Sequence, residues 1–142
     1  MELIQTLKLD GIVTIEKDAY NFRKSRFDKF RENYTNFLVA NEKGEHFVLC
    51  FDEKPQCCER FDLTYNIPKD KIISTDGVII NLYRDEEFEC LEVGYKFVLE
   101  IKGNKATVNF TFSNEHNGYY SHFVSIESGE NNTSQFSWRK FI

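Results

Sequence analysis

Tyr95-Lys-Phe-Val-Leu-Glu-Ile-Lys-Gly-Asn-Lys-Ala-Thr-Val-Asn-Phe-Thr-Phe112 is the stretch that decides the fold class of this chain. Tyr95, Phe97, Leu99 and Ile101 fall on every second residue, Gly103-Asn104 offers a reversal, and Ala106, Val108, Phe110 and Phe112 alternate again. Successive strand side chains point to opposite faces. The spacing therefore predicts two antiparallel strands that lay one aromatic and aliphatic face on a core.

The same period recurs outward from this hairpin. Asp76-Gly77 turns into Val78 to Tyr83, and Phe88 to Val93 follows the acidic connection Asp85, Glu86 and Glu87, which predicts a second hairpin. Asn36 to Ala40 and Glu45 to Asp52 are β-type runs joined by Asn-Glu-Lys-Gly, with Gly44 placed to take a positive φ. Leu3 to Leu9 and Gly11 to Glu16 read as a strand pair, or one bent strand, about Asp10-Gly11. His122, Val124 and Ile126 start a further strand after the tight Asn117-Gly118, and Phe136 to Ile142 is placed to close a sheet edge. Fourteen Phe and seven Tyr suit cross-strand pairs on a twisted sheet. The expected architecture is one globular domain over residues 1–142, mainly β (α+β): a twisted antiparallel sheet or partly open barrel built from hairpins, with one or two short helices.

One helix is predicted near residues 19–35, where Phe22, Phe27, Phe30 and Tyr34 recur at close to helical spacing and Asp18 is placed to cap. This segment is also where the charge separates. Arg23, Lys24, Arg26, Lys29 and Arg31 stand against Asp28 and Glu32, so it carries a net +3 while the rest of the chain carries −8. Such a face is either the solvated side of an amphipathic helix or a docking surface for an acidic partner or a phosphate-bearing ligand. Between Phe61 and Ile67 the chain is too polar for a long helix, and Pro68 interrupts it, so a short helix or loop is predicted.

Composition excludes several classes. A net charge of −5 is the wrong sign for coating a phosphate backbone, which argues against general nucleic-acid binding. The longest apolar run, Phe47 to Phe51, is too short to cross a bilayer as a helix. Cys50, Cys57, Cys58 and Cys90 are even in number, but the first ten residues lack the basic and apolar regions of a secretory leader, so reduced thiols and a cytoplasmic location are expected.

Catalytic motifs are missing from the sequence: it has no glycine-rich phosphate loop, no His-Glu-x-x-His, no Gly-x-Ser-x-Gly and no Cys-x-x-Cys. Two constellations remain. Cys57-Cys58-Glu59 and the run His116, Asn117, Gly118, Tyr119, Tyr120, Ser121, His122 supply thiols, imidazoles, an amide and phenols. Zinc held by Cys57, Cys58, His116 and His122 is disfavoured because adjacent cysteines strain a tetrahedral shell. A thiolate activated by His116 or His122 has the residue types it needs but no further support. The simpler readings are a turn with a tyrosine packed inward, or a recognition loop whose amide, imidazole and phenol groups read a partner.

In order and spacing, Cys57-Cys58-Glu59 after a strand and Asn117-Gly118-Tyr119-Tyr120 before the last strands resemble a small uncharacterised domain family of bacteria and their phages. The resemblance covers about residues 36–127. It implies a single β-rich domain with both motifs structural or site-forming, and no established activity. The function expected from all this is a non-catalytic binding protein, without cofactor or metal, of phage or mobile-element type. It would inhibit or sequester a partner such as a component or signal molecule of a bacterial defence system. A nucleotide or small-ligand pocket, with Arg23, Arg26 and Arg31 on phosphates and a tyrosine stacked on a base, is the alternative; a toxin-neutralising immunity protein fits the same composition. A homo-oligomer is compatible with either.

Overall fold

The computed structural model describes residues 1–17, 34–52, 60–84, 93–116, 123–128 and 133–137. Eleven strands form there, in two antiparallel sheets: β1 (Glu2–Leu9), β2 (Val13–Lys17), β3 (Tyr34–Asn41), β4 (His46–Asp52), β5 (Arg60–Tyr65), β6 (Ile72–Ser74), β7 (Val78–Arg84), β8 (Val93–Lys102), β9 (Thr107–His116), β10 (Phe123–Ser128) and β11 (Thr133–Ser137). The five-stranded sheet runs β1-β7-β8-β9-β5 and the six-stranded sheet β11-β10-β4-β3-β2-β6. Among the described residues neither closes into a barrel.

The β8–β9 hairpin is the axis of the five-stranded sheet. Its ladder is unbroken from Val93↔His116 to Lys102↔Thr107, and Phe97, Leu99, Ile101, Val108, Phe110 and Phe112 are all buried on one face. The facing sheet answers with Val13, Ile15, Phe37, Val39, Leu49, Phe51, Ile73 and Ile126, and one continuous core fills the gap. At its centre Phe37 meets Phe110 edge-on at 4.7 Å, while Phe51 lies 5.3 Å from Phe110 and 5.6 Å from Phe112. Such offset and edge-on ring pairs add to plain burial. Tyr65 closes the seam beside β5, 5.0 Å from Phe37 and with the Lys17 ammonium 5.4 Å over its ring.

The β3–β4 hairpin forms as the sequence predicts, with Gly44 at φ +87°. Other expectations are corrected. Tyr34 and Thr35, assigned to the predicted helix, begin β3; the rest of that helix lies outside the described residues, and no helix occurs among those described. Of residues 61–67, predicted as a short helix or loop, Phe61 to Tyr65 instead fall in edge strand β5, because Leu63 and Tyr65 alternate with polar residues and pair with Phe112 and Phe110. An edge strand tolerates that polarity since half of its backbone needs no partner strand. Asn66 extends β5 with its side chain: Nδ2 donates to Thr107 O at 3.0 Å and Oδ1 accepts from Asn109 N at 2.8 Å.

β1 and β2 do not pair with each other. β1 joins β7 and β2 joins β3, so residues 10–12, with Gly11 at φ +83°, carry the chain from one sheet to the other. The predicted strand 88–93 contributes only Val93, as the first residue of β8; β7 takes β8 as its partner, and residues 88–92 lie outside the described residues. β10 likewise leaves β9 and pairs with β4, and β11 is the edge beyond it. A single sheet would leave the aromatic faces of the β3–β4 and β8–β9 hairpins open to water; folding one over the other buries both.

Candidate functional site

Antiparallel register sorts the connections to two ends. At the first, the turn end, the chain runs through residues 10–12, 42–45, 66–71, 75–77 and 103–106. At the other, the loop end, it leaves or enters the strands at Lys17, Tyr34, Asp52, Arg60, Arg84, Val93, His116 and Phe123. The pairings Tyr34↔Asp52, Val124↔Phe51, Arg60↔Glu115, Val93↔His116 and Glu2↔Arg84 fix this. The contact of Phe51 with Phe112 shows that the two sheets share the end. There the Arg84 guanidinium bridges to the Glu2 carboxylate at 2.9 Å.

Arg23, Arg26 and Arg31 belong to segment 18–33, Cys57, Cys58 and Glu59 to 53–59, and Asn117, Gly118, Tyr119, Tyr120 and His122 to 117–122. All of them lie outside the described residues. His116 is the last residue of β9, with its backbone opposite Val93. The strand ends that bound these three segments are nevertheless described, and all sit at the loop end. The two sequence motifs abut neighbouring strands: Arg60, which follows Glu59, pairs with Glu115, one residue before His116. Among the described residues no three His, Cys, Asp or Glu side chains are grouped to hold a metal ion, and no helix is long and apolar enough to cross a membrane.

The turn end is a web of polar contacts. Asn41 is 8% exposed; its Nδ2 donates to Asp10 O at 2.9 Å and to Glu45 Oε1 at 3.0 Å, and its Oδ1 accepts from Lys43 N and Glu45 N. One side chain thus ties the β1–β2 link to the β3–β4 turn. Glu42 repeats the link, with Oε2 accepting from Ile12 N at 2.6 Å. Across the same end, Asn104 Oδ1 accepts from Ser74 Oγ and Thr75 N, and Asn104 Nδ2 donates to Thr75 Oγ1 at 2.9 Å.

Hydrogen bonds from the amides of Glu42 itself and of Ile12 hold the Glu42 carboxyl below its ordinary pKa, and Lys43 adds to this. A depressed carboxylate stabilises the fold fully above its unfolded pKa and loses that contribution as pH falls through the folded one. A carboxyl titration by NMR is expected to place the Glu42 midpoint below that of an unstructured glutamate, with the Ile12 amide shift following the same curve. In Glu42→Gln the Ile12 shift should no longer titrate; an unchanged Ile12 curve would show that another group is responsible.

Beside this web lies a cleft of about 320 Å³, between the end of β1, the turn before β7 and the turn after β8. Lys8, Asp10, Asp76, Ile79, Lys102 and Asn104 are among the residues that line it. In the sequence, Asp10-Gly11, Asp76-Gly77 and Gly103-Asn104 mark only turns. What could have brought them together is strand direction, since all three reverse the chain at one end.

No protein-family model, curated protein or solved structure matches the chain. Its functional reading rests on its own residues and register.

Proposed function

We propose that the chain is a non-catalytic binding protein of phage or mobile-element type that inhibits or sequesters a partner, through the connections at the loop end of a β-sandwich. The supporting observation is the register: the strand ends bounding segments 18–33, 53–59 and 117–122 lie together at one end. Connections on a rigid β scaffold vary freely without cost to the core, and a scaffold that gathers several at one end lets them act as one surface. Segment 18–33 holds the cluster of cations in an otherwise acidic chain, and 117–122 holds paired tyrosines, the residue types that dominate recognition surfaces. The partner class this suits is an acidic protein component, or a phosphate-bearing signal, of a bacterial defence system.

Native mass spectrometry of the chain purified from cells that carry such a system tests this, with the denatured mass as reference. The expected result is an added mass that disappears in Arg23→Ala/Arg26→Ala/Arg31→Ala and in Tyr119→Ala/Tyr120→Ala. It should be accompanied by weakened defence that those variants restore. An added mass equal to a nucleotide favours the ligand-pocket reading. A bare mass with defence unimpaired by the chain overturns both.

A further inference from the structure

The two sheets differ on the faces they turn away from the core. On the five-stranded sheet that face is open: Leu3 is 51% and Ile79 42% exposed, and Val98, on the middle strand between Tyr83 and Thr111, is half-buried. Over β3 and β4 the six-stranded sheet is closed. Val48 sits between Leu38 and Glu127, a position equivalent to that of Val98, yet it is only 3% exposed. Asn36, on the same face, is also 3% exposed, although β2 ends at Lys17 opposite Phe37 and leaves Asn36 with a strand on one side alone. Strand neighbours do not shield a side chain from the water above a sheet, as Val98 shows. A further layer of chain therefore covers Asn36 and Val48.

Strand order narrows the choice of cover. Segment 53–59 leads to the other sheet, 85–92 joins two strands of it, 117–122 arrives from it, and 129–132 joins β10 to β11 from the turn end. Segment 18–33 alone joins two inner strands of the six-stranded sheet, leaving β2 at Lys17 and entering β3 at Tyr34, two residues before Asn36. Neighbouring antiparallel strands need only about two to five residues to join them, so connection does not account for its length. It carries Phe22, Phe27 and Phe30, whose rings gain by leaving water, beside five cations that lose by it. We infer that segment 18–33 docks on the outer face of β3 and β4 through Phe22, Phe27 and Phe30, over Asn36 and Val48, and so holds its cations at the loop end as a preformed surface. A surface ordered in advance loses less freedom on binding. What the cations bind rests on the preceding proposal; the docking does not.

Methyl-to-aromatic NOEs measured on the full, unaltered chain test the inference. Contacts from the Val48 methyls to the rings of Phe22, Phe27 or Phe30 are the expected result. A soluble paramagnetic probe should also relax the Val48 methyls less than those of Val98. In Phe22→Ser/Phe27→Ser/Phe30→Ser the Val48 relaxation should rise to the Val98 level, with Val98 itself unchanged because the inter-sheet core is untouched. Contacts from Val48 to Trp138 or Phe141 in place of these rings would seat the C-terminal residues there and overturn the inference. Equal relaxation of Val48 and Val98 in the unaltered chain, or a Val48 still protected in the triple variant, overturns it too. The NOEs need no variant, so they decide the matter even where the triple variant folds poorly. Absence of partner capture with these NOEs intact counts against the preceding proposal alone.

Discussion

Phe110→Ala is expected to lower stability by about 4 kcal/mol, the largest effect of any single substitution considered for this chain. Phe110 has no exposed surface, and its ring is shared by both sheets: Phe37 and Phe51 approach from β3 and β4, Tyr65 from β5. Alanine removes the transfer free energy of the ring and leaves a cavity whose walls are other rings, held by two sheets that cannot close independently. The ring pairs themselves contribute beyond burial. A domain of this length has a net stability of about 5–15 kcal/mol, so the variant should melt roughly 10 °C or more below the parent. Chemical denaturation checks it through a lower midpoint at an unchanged slope. Phe110→Leu, which keeps most of the volume, is expected to cost about 1.5 kcal/mol. A loss for Ala as small as that expected for Leu would mean that the ring does not bridge the sheets.

Gly103→Ala is expected to cost about 3 kcal/mol, for a steric rather than a conformational reason. Gly103 is not among the positive-φ residues, so its backbone suits any amino acid. The obstacle is β6. A Cβ on Gly103 would overlap the Ile73 carbonyl oxygen and stand 2.7 Å from Ile73 Cγ2. That oxygen already accepts from Lys105 N and Ala106 N, both at 3.0 Å, which is how the β8–β9 turn is fastened to the other sheet. Relief by moving Ile73 breaks both bonds and disturbs Ser74, whose Oγ accepts from Asn104 N. Gly44→Ala is the control: nothing stands within 4 Å of its Cβ, but its φ is +87°, so only a backbone cost of about 1 kcal/mol is expected. Thermal melts of the two variants discriminate, and a Gly103→Ala as mild as Gly44→Ala would remove the close approach as a determinant of this fold.

β4 shows where periodicity stops informing. Phe47, Leu49 and Phe51 face the inter-sheet core, but Val48, on the opposite face, is also only 3% exposed, and so is Asn36 on the neighbouring strand. A strand buried on both sides reads as a continuous apolar run, and the run Phe47 to Phe51 has no alternation to say which face meets which neighbour. In β5 the difficulty is the reverse. Its alternation is present in Leu63 and Tyr65 but diluted by Asp62, Thr64 and Asn66, as an edge position permits. The candidate site was legible as residue types in three segments and as three separate turns. Its grouping was not, because adjacency at one end of a sandwich is a property of strand order.

The chain's own pattern determined that it is a β protein, which faces of β8 and β9 turn inward, and where the β3–β4 turn bends, because these depend on neighbours two to four residues apart. Only the tertiary structure decided that the hairpins divide between two sheets, that β1 and β2 part company, and that β10 crosses to β4. Those choices are set by which apolar faces can cover one another, an interaction between residues tens of positions apart that no local period records.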